Sequence, residues 1–360
     1  AKQKKSNLNK KHFLKLAFEQ AKNNLGSTGS NPSVGCVIER NGSIISSGYT
    51  SLNGRPHAEH IALKNKINFK GANMYVTLEP CSHYGKTPPC TSMIIKKKIK
   101  NVYFPISDFD IRSSNKSYEI LKKKNINEKK NILKHFAKDF YYSYFLNRKK
   151  NLPLIDAKIA LSNDYYSVNK RSKWITNIHS RKRGQLLRSF YDCVISTSKT
   201  INKDNPKLDC RIKGLENKSP TIIIIDRFLK IKKNLNLIEK RGINIFLFTS
   251  TTNKNKEIYL RNKGVKILKT KMNNKNDFSK IFKKLYNMGF SRIFVESGVT
   301  FLNYLIKNSF IHNLFIFNSM YNLKKNGLNK LDKLFVNKAR FQKRINVNLF
   351  GDNLIKLKLK

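Results

Sequence analysis

The stretch Tyr75-Val76-Thr77-Leu78-Glu79-Pro80-Cys81-Ser82-His83-Tyr84-Gly85-Lys86-Thr87-Pro88-Pro89-Cys90, read with His57-Ala58-Glu59 upstream of it, sets the architecture of the first half of this 360-residue chain. It starts in a β-prone run (73–78) and ends where a helical run (91–98) begins. Two thiols stand between those elements. One His and two Cys are three soft-to-borderline donors, a set that Zn²⁺ takes readily, and a catalytic zinc leaves its fourth position to water. Glu59 lies two residues after His57, close to the metal but suited to proton transfer. Zinc lowers the pKa of its bound water to about 7. A helix opening at Cys90 would favour the thiolate. The plainer alternatives are buried structural His and Cys, or a structural zinc with His60 or His83 as a fourth ligand.

Outward from this stretch, helix and strand alternate. Residues 9–25 have helical apolar spacing, and 26–32 form a turn-rich loop. Runs 34–38 and 43–49 are strands joined by Asn41-Gly42, a strong hairpin signal. Residues 57–65 read as a helix and 101–104 as a strand. The Lys/Asn-rich segment 115–134 reads as helix and loop, 136–145 as an aromatic helix, and 147–151 as a charged linker. The pattern implies helices on a sheet. A domain boundary is expected near residue 150, giving domains 1–149 and 150–360. In the second half, strands are expected at 152–161, 193–197, 221–226, 243–249, 265–268, 293–296 and 314–317. The apolar run at 221–226 suits a sheet centre. Helices are expected at 179–190, 277–288 and, after a turn at Gly298, 301–307. Residues 323–343 are Lys-rich and uninformative, and a closing strand ends the chain.

Composition sets bounds on function. Net charge is +51, from 73 Lys+Arg against 22 Asp+Glu, which alone suggests nucleic-acid binding. Only 15 of the basic residues are Arg, and Asn and Ile are also abundant, so general compositional drift accounts better for the charge. With 39% hydrophobic and 11% aromatic residues, wholesale disorder is excluded. No apolar stretch long enough for a transmembrane helix, and no signal-peptide pattern, is expected. Five Cys fit a reducing cytoplasm better than a secreted disulfide framework.

The run Asn31-Pro32-Ser33-Val34-Gly35-Cys36 resembles the substrate loop of cytidine-deaminase-like enzymes, and zinc deaminases use a His/Cys/Cys site with a Glu as acid and base. Most nucleobase deaminases have two residues between the cysteines, whereas here there are eight, 82–89. That expanded loop resembles the bifunctional riboflavin-biosynthesis deaminase–reductases. The resemblance continues through Ser172-Lys173-Trp174-Ile175-Thr176, Gln185-Leu186-Leu187-Arg188, Thr200, Asp204-Asn205-Pro206-Lys207-Leu208, Arg211 and Glu296-Ser297-Gly298-Val299-Thr300-Phe301-Leu302. It implies an α/β chain in which a cytidine-deaminase-like three-layer α/β/α domain precedes a dihydrofolate-reductase-like α/β domain. It implies one zinc on His57, Cys81 and Cys90, with Glu59 as proton shuttle. It implies NADPH contacts at Ala160, Trp174, Thr200, Asp204, Gly298, Val299, Thr300, Phe301 and Leu302, and substrate contacts at Ser172, Arg188, Leu208, Arg211 and Glu296. The implied substrate is a phosphorylated diaminopyrimidinone, which is deaminated before its ribosyl chain is reduced to ribityl.

Several of these residues have a physical rationale and a plainer alternative. Gly298, between a strand and a helix, lets backbone approach a phosphate, as many α/β turns do. Arg188 and Arg211 form either a bidentate clamp on a sugar phosphate or ordinary surface charge. Trp174 either packs in the core or stacks on a cofactor ring. Asp204-Asn205-Pro206 is either functional or a turn. One segment departs from the family. Where relatives have Ser-x-Asp-Gly and a basic residue, this chain has Ser162-Asn163-Asp164-Tyr165-Tyr166. Gly would tolerate φ > 0 there and Tyr165 would not do so cheaply, so altered substrate handling in the reductase half is expected.

The reading is therefore a cytoplasmic two-domain enzyme with zinc and NADPH, a phosphorylated pyrimidine substrate, no dedicated nucleic-acid or membrane partner, and homo-oligomerisation left open. The rivals are a zinc deaminase acting on tRNA or another nucleobase substrate, with a degenerate nucleotide-binding C-terminal half, and a non-catalytic metal- and nucleotide-binding module.

Overall fold

The computed structural model describes residues 2–85, 87–239, 242–331 and 341–360. They fall into two compact units, Ala1–Leu152 and Pro153–Lys360. Among the described residues no helix is long and apolar enough to cross a membrane.

The first unit is built on strands β1 (Gly35–Arg40), β2 (Ser43–Tyr49), β3 (Asn73–Val76), β4 (Asn101–Tyr103) and β5 (Asn127–Lys129), in the order β2-β1-β3-β4-β5. The hairpin forms at Asn41-Gly42, where both residues take positive φ, 52° and 85°. β1 is antiparallel to β2 and β3, and β3, β4 and β5 run parallel. Alternation along the strands separates two apolar faces. Val37, Tyr75 and Tyr103 pack with Phe13, Leu14 and Ala17 of the helix Lys2–Lys22. Cys36, Ile38, Met74, Val76 and Val102 pack with Ala58, Ala62, Leu63 and Ile94 of the helices Ala58–Leu63 and Cys90–Lys96. The result is a helix–sheet–helix sandwich. Two glycines set the helix–sheet spacing. A Cβ on Gly35 would meet the Ala17 carbonyl oxygen at 1.8 Å, and one on Gly48 would meet that of Ala58 at 2.5 Å.

The second unit holds a nine-stranded sheet. Its strands are β6 (Leu154–Leu161), β8 (Cys193–Thr197), β9 (Thr221–Ile225), β10 (Ile245–Thr249), β11 (Val265–Lys269), β12 (Arg292–Glu296), β13 (Asn313–Asn318), β15 (Phe341–Arg344) and β16 (Asn353–Lys358). They are ordered β11-β10-β9-β8-β12-β6-β13-β16-β15. β11 through β13 are parallel, and β16 and β15 add an antiparallel edge. A separate ladder pairs β7 (Tyr166–Asn169) with β14 (Gly327–Lys330). Both faces of the central strands are buried: Ile223 packs with Phe278 and Leu302, and Ile222 and Ile224 pack with Leu187 and Ile201 on the other face. This is why the 221–225 run is apolar without alternation.

Some boundaries differ from the sequence reading. The linker at 147–151 continues as a helical turn, Leu146–Lys150, because its cations point outward while Leu146 stays buried. The helix expected from Thr91 begins at Cys90, and the one expected from Phe301 begins at Val299. The polar edge strand β5, the β7–β14 ladder and the helices Ser198–Asp204 and Lys254–Asn262 have apolar patterns too short or too broken to read. The uninformative 323–343 segment contributes β14, and its residues 332–340 lie outside the described residues.

Candidate functional site

In the first unit, three elements bring His57, Cys81 and Cys90 together. His57 is the N-cap of the helix Ala58–Leu63, and Cys90 is the first residue of the next helix. Cys81 ends the run that leaves β3. Its Sγ lies 3.6 Å from His57 Nδ1, the Cys90 Sγ lies 3.4 Å from the same nitrogen, and the Cys90 N–H donates to the Cys81 Sγ at 3.3 Å. The three donor atoms all lie within 4.8 Å of one another. Two thiols and one imidazole nitrogen fit a zinc ion with one open position. Among the described residues neither His60 nor His83 belongs to this cluster of donor atoms.

The electrostatics separate the thiols. The Cys90 thiol, and then His57, lower Cys81 to about 4, whereas Cys90 is pushed up by its thiolate neighbour and by burial. Glu59 is buried, and desolvation raises its carboxyl to about 7. At that value it can both accept and release a proton near neutrality.

The surrounding loops are held by buried polar bonds. The Val34 N–H donates to the Thr50 hydroxyl at 2.9 Å, the Gly35 N–H to the Thr77 hydroxyl at 3.0 Å, and Asn31 Nδ2 to the Gly54 carbonyl at 3.1 Å. The run 31–36 is thereby tied to the loop leading into His57. Arg55 Nη1 donates to the Thr87 hydroxyl, clamping the loop between the cysteines. Glu79 was not singled out in the sequence. Its buried carboxylate accepts the N–H groups of Asp108, Asn115 and Ser117 and the Ser117 hydroxyl at 3.0–3.2 Å, anchoring the Pro80-Cys81 turn. A carboxylate inside an apolar run was the available signal.

In the second unit, charged groups gather around Glu296, the last residue of β12. Glu296 pairs in register with Lys158 on β6. Arg188 grips both oxygens of Glu296, at 2.5 and 3.0 Å, and Lys158 Nζ lies 4.0 Å from one of them. Burial pushes the Glu296 carboxyl up, but Arg188 and then Lys158 bring it below its ordinary value. Burial lowers the Lys158 ammonium. Burial raises Asp204, opposed by Lys203, Lys173 and Lys158, so Asp204 shares this field. The Gly298 N–H donates to the Thr200 hydroxyl at 3.1 Å, joining the β12 turn to the helix Ser198–Asp204.

Residues 8–106 match the family described as the cytidine and deoxycytidylate deaminase zinc-binding region, and residues 154–319 match the RibD C-terminal domain. The riboflavin biosynthesis protein RibD of Aquifex aeolicus is 34% identical over 311 residues, covering 85% of this chain and 86% of the relative. The chain belongs to the RibD family. RibD of Buchnera aphidicola is 32% identical over 327 residues, covering 85% of each chain. The crystal structure of the Thermotoga maritima diaminohydroxyphosphoribosylaminopyrimidine deaminase/5-amino-6-(5-phosphoribosylamino)uracil reductase shares 27% identity and superposes with a TM-score of 0.81 over 98% of this chain and 99% of that one. Acinetobacter baumannii RibD has the same fold, with a TM-score of 0.79 at 24% identity over 98% and 99% of the two chains. The family combines a zinc-binding deaminase region with a reductase region, and this chain is a deaminase–reductase of riboflavin biosynthesis.

Within this RibD chain, the expected reductase residues divide by exposure. Trp174 is 53% exposed, with the Arg181 guanidinium 4.4 Å from its ring centroid, so it is not a core residue. Ser172 accepts the Trp174 N–H and lies at the same surface. Val299 and Leu302 bury their side chains in the core, and the partly buried Phe301 packs against it. Thr300 is exposed, Ala160 is partly buried, and Leu208 is buried with φ of 53°. Arg188 holds Glu296 and donates to the Asp209 carbonyl, and Arg211 pairs with the Asp209 carboxylate. Asp204 ends its helix, and Asn205 provides the left-handed cap with φ of 41°. The family departure is visible as geometry: Tyr165 takes φ of 71°, the conformation a Gly would adopt freely. Asp164 holds the loop by accepting the N–H groups of Leu323 and Lys324 at 3.0 and 2.7 Å. Lys158 was missed in the sequence, although it is a lone cation in an apolar strand.

Proposed function

We propose that the first unit hydrolytically deaminates a diaminopyrimidinone carrying a ribosylamino 5′-phosphate, and that the second reduces the ribosyl group of the product to ribityl with NADPH. The observation that carries this reading is the convergence of His57 Nδ1, Cys81 Sγ and Cys90 Sγ within 4.8 Å, with Glu59 buried one residue into the same helix. His57, Cys81 and Cys90 would hold one zinc, which supplies Lewis acidity and an activated water when bound. Glu59 takes a proton from the attacking water and returns it to the ring nitrogen and the departing ammonia. The Asn31–Cys36 run and the loop closed by Arg55 and Thr87 flank the pyrimidine. Gly48 lets the Glu59 helix lie against β2, which fixes the carboxyl relative to the thiols.

In the second unit, Thr200, Trp174, Asp204 and the backbone of the Gly298 turn would hold NADPH, which when bound would supply the hydride that reduces the ribose C1′. Lys158 is the proton donor, since burial has weakened its hold on its proton, and Glu296, held ionised by Arg188, orients it. We place the chain in the cytoplasm, where Cys81 and Cys90 stay reduced; the five cysteines are free. Its positive charge would concentrate phosphorylated substrate without a dedicated nucleic-acid role.

The test joins metal analysis to two assays. Zinc at about one per chain, ammonia release that depends on it, and NADPH oxidation with the deaminated intermediate are expected. Zinc-independent ammonia release overturns the first assignment, and absence of NADPH oxidation overturns the second.

A further inference from the structure

Tyr141 places a hydroxyl in the core of the first unit. It follows the helix Lys134–Phe140, and its ring packs against Phe18 and Phe140 on the face of the sheet that carries Cys36 and Val76. A phenylalanine would fill the same space, and Phe18, Phe69 and Phe104 pack in that core. A hydroxyl there costs free energy unless it is bonded. Its bonds lead to one place. The Tyr141 hydroxyl donates to the Ser33 carbonyl at 3.2 Å and lies 2.5 Å from the Thr77 hydroxyl, which in turn accepts the Gly35 N–H at 3.0 Å. Ser33, Thr77 and Tyr141 are all buried.

Each hydroxyl has a single proton to give. The Ser33 carbonyl can only accept, so Tyr141 gives its proton there and Thr77 gives its own to the Tyr141 oxygen. That order leaves a lone pair on Thr77 for Gly35, and the Thr77 N–H donates back to the Gly35 carbonyl at 3.0 Å. Burial pushes the Tyr141 hydroxyl well up, and the Glu59 charge adds to this against the Thr77 bond, so Tyr141 stays protonated and keeps donating. A chain of bonds thus starts in the helical layer, crosses the end of β3 and fixes the backbone on both sides of Val34. The same run lies beside the proton carrier. Burial and then the Glu59 charge push the Cys36 thiol up, and Cys36 packs in one cluster with Ala58.

We propose that Tyr141 is a positioning residue of the deaminase: it holds the Ser33–Gly35 backbone where the pyrimidine seats, and so sets how tightly the substrate binds. The proposal rests on the deaminase reading, in which the Asn31–Cys36 run flanks the pyrimidine. Without the Tyr141 hydroxyl the Ser33 carbonyl loses this donor and the Thr77 hydroxyl loses this acceptor. A buried group deprived of its partner is costly, and the run shifts to relieve it. A small displacement of a binding surface weakens what it holds. Glu59 and the zinc donors stand on other elements and keep their places, so the effect falls on binding and not on the proton transfer.

The experiment follows ammonia release by the full-length protein from the diaminopyrimidinone substrate. Tyr141→Phe keeps the ring and deletes the hydroxyl. Thr77→Val breaks the same chain from its other end, and Thr77→Ser preserves it. Tyr103→Phe is the control, since it deletes a buried tyrosine hydroxyl on the opposite face of the sheet. KM should rise about tenfold in Tyr141→Phe and in Thr77→Val, with kcat and zinc content within about twofold of wild type. The double variant should raise KM no further than the more damaging single change, because both break one chain. Amide hydrogen exchange across residues 33–36 should quicken in Tyr141→Phe. Thr77→Ser and Tyr103→Phe should match wild type, and NADPH oxidation with the deaminated intermediate should hold in every variant. A loss of stability with KM and exchange unchanged would make Tyr141 a packing residue only and overturn the proposal. So would a fall in kcat at constant KM, or an equal KM rise in Tyr103→Phe. Should Tyr141→Phe fail to fold, Thr77→Val and Thr77→Ser decide by the same readouts. A wild type that releases no ammonia overturns the deaminase reading and this proposal together, whereas wild-type release with both variants unshifted overturns the proposal alone.

Discussion

Glu59 in the first unit and Glu296 in the second are both glutamates removed from water, and their surroundings push them in opposite directions. Glu59 lies among thiols and an imidazole, with no Arg or Lys gripping it among the described residues, and desolvation raises it to about 7. Glu296 holds Arg188 in a two-pronged pair with Lys158 nearby, and these cations keep it ionised below the ordinary carboxyl range. The first is poised to carry a proton, and the second is a fixed charge that orients its neighbours. Titratable groups driven apart by their environments mark different chemical roles. Burial alone does not assign a role; the cation beside the carboxyl does.

The strongest way to break this comparison is Glu59→Gln. It should keep zinc but lower ammonia release by about 10³-fold or more, leaving NADPH oxidation with the deaminated intermediate unchanged. Metal analysis and the two assays check it, and retained deamination would remove Glu59 from proton transfer.

Glu296→Gln should act through charge balance. It leaves Arg188 and Lys158 beside a neutral group in a desolvated site, a change that costs about 3–5 kcal/mol when a buried pair is broken. Denaturant unfolding should show the loss, and NADPH oxidation should fall while ammonia release holds. A stability matching wild type would mean that water already screens the pair.

Asp192 sharpens the comparison with an intermediate case. It accepts the N–H groups of Ser291 and Arg292, yet burial still raises its carboxyl to about 6. A folded value above the unfolded one makes the protonated form stabilising. Its contribution is therefore full below about pH 4 and is lost as pH rises through about 6, at about 1.4 kcal/mol per pH unit separating the folded and unfolded values. Asp192→Asn should remove that component, so the Tm difference between variant and wild type should move in the variant's favour from pH 5 to pH 7. A constant difference would show that the backbone donors already satisfy the charge.

The smallest effect concerns the family departure. Tyr165→Gly relieves a positive φ worth about 1–2 kcal/mol but gives up packing against the core. The two should nearly cancel, leaving stability within about 1 kcal/mol by denaturant unfolding. A loss well beyond this would show that the ring matters more than the strain.

The first site was the more legible because its donors sit in local patterns. His57 and Glu59 are two residues apart, Cys81 and Cys90 bracket one loop, and each lies at an element end that periodicity locates. The second site depends on partners far apart in sequence. Nothing near Lys158 announces Glu296, because their meeting is a matter of strand register between β6 and β12. The sequence shows the donors of Arg188 but not that Glu296 and the Asp209 carbonyl engage them. The helix Ser198–Asp204 is hard to read from sequence because a seven-residue polar segment has little apolar periodicity.

The sequence by itself determined that this chain alternates strand and helix, that the first half can hold a zinc through one imidazole and two thiols, and that Glu59 stands beside them. It also marked Tyr165 as out of place before its positive φ was seen. These properties follow from residue type and short spacing, which local geometry converts directly into position. Only the tertiary structure decided the ionisation of Glu59 and Glu296, the meeting of Lys158 with Glu296, and the burial of Val299 and Leu302. Those outcomes depend on desolvation and on charges brought close by strand register, and Coulomb energy follows distance in space, not separation along the chain.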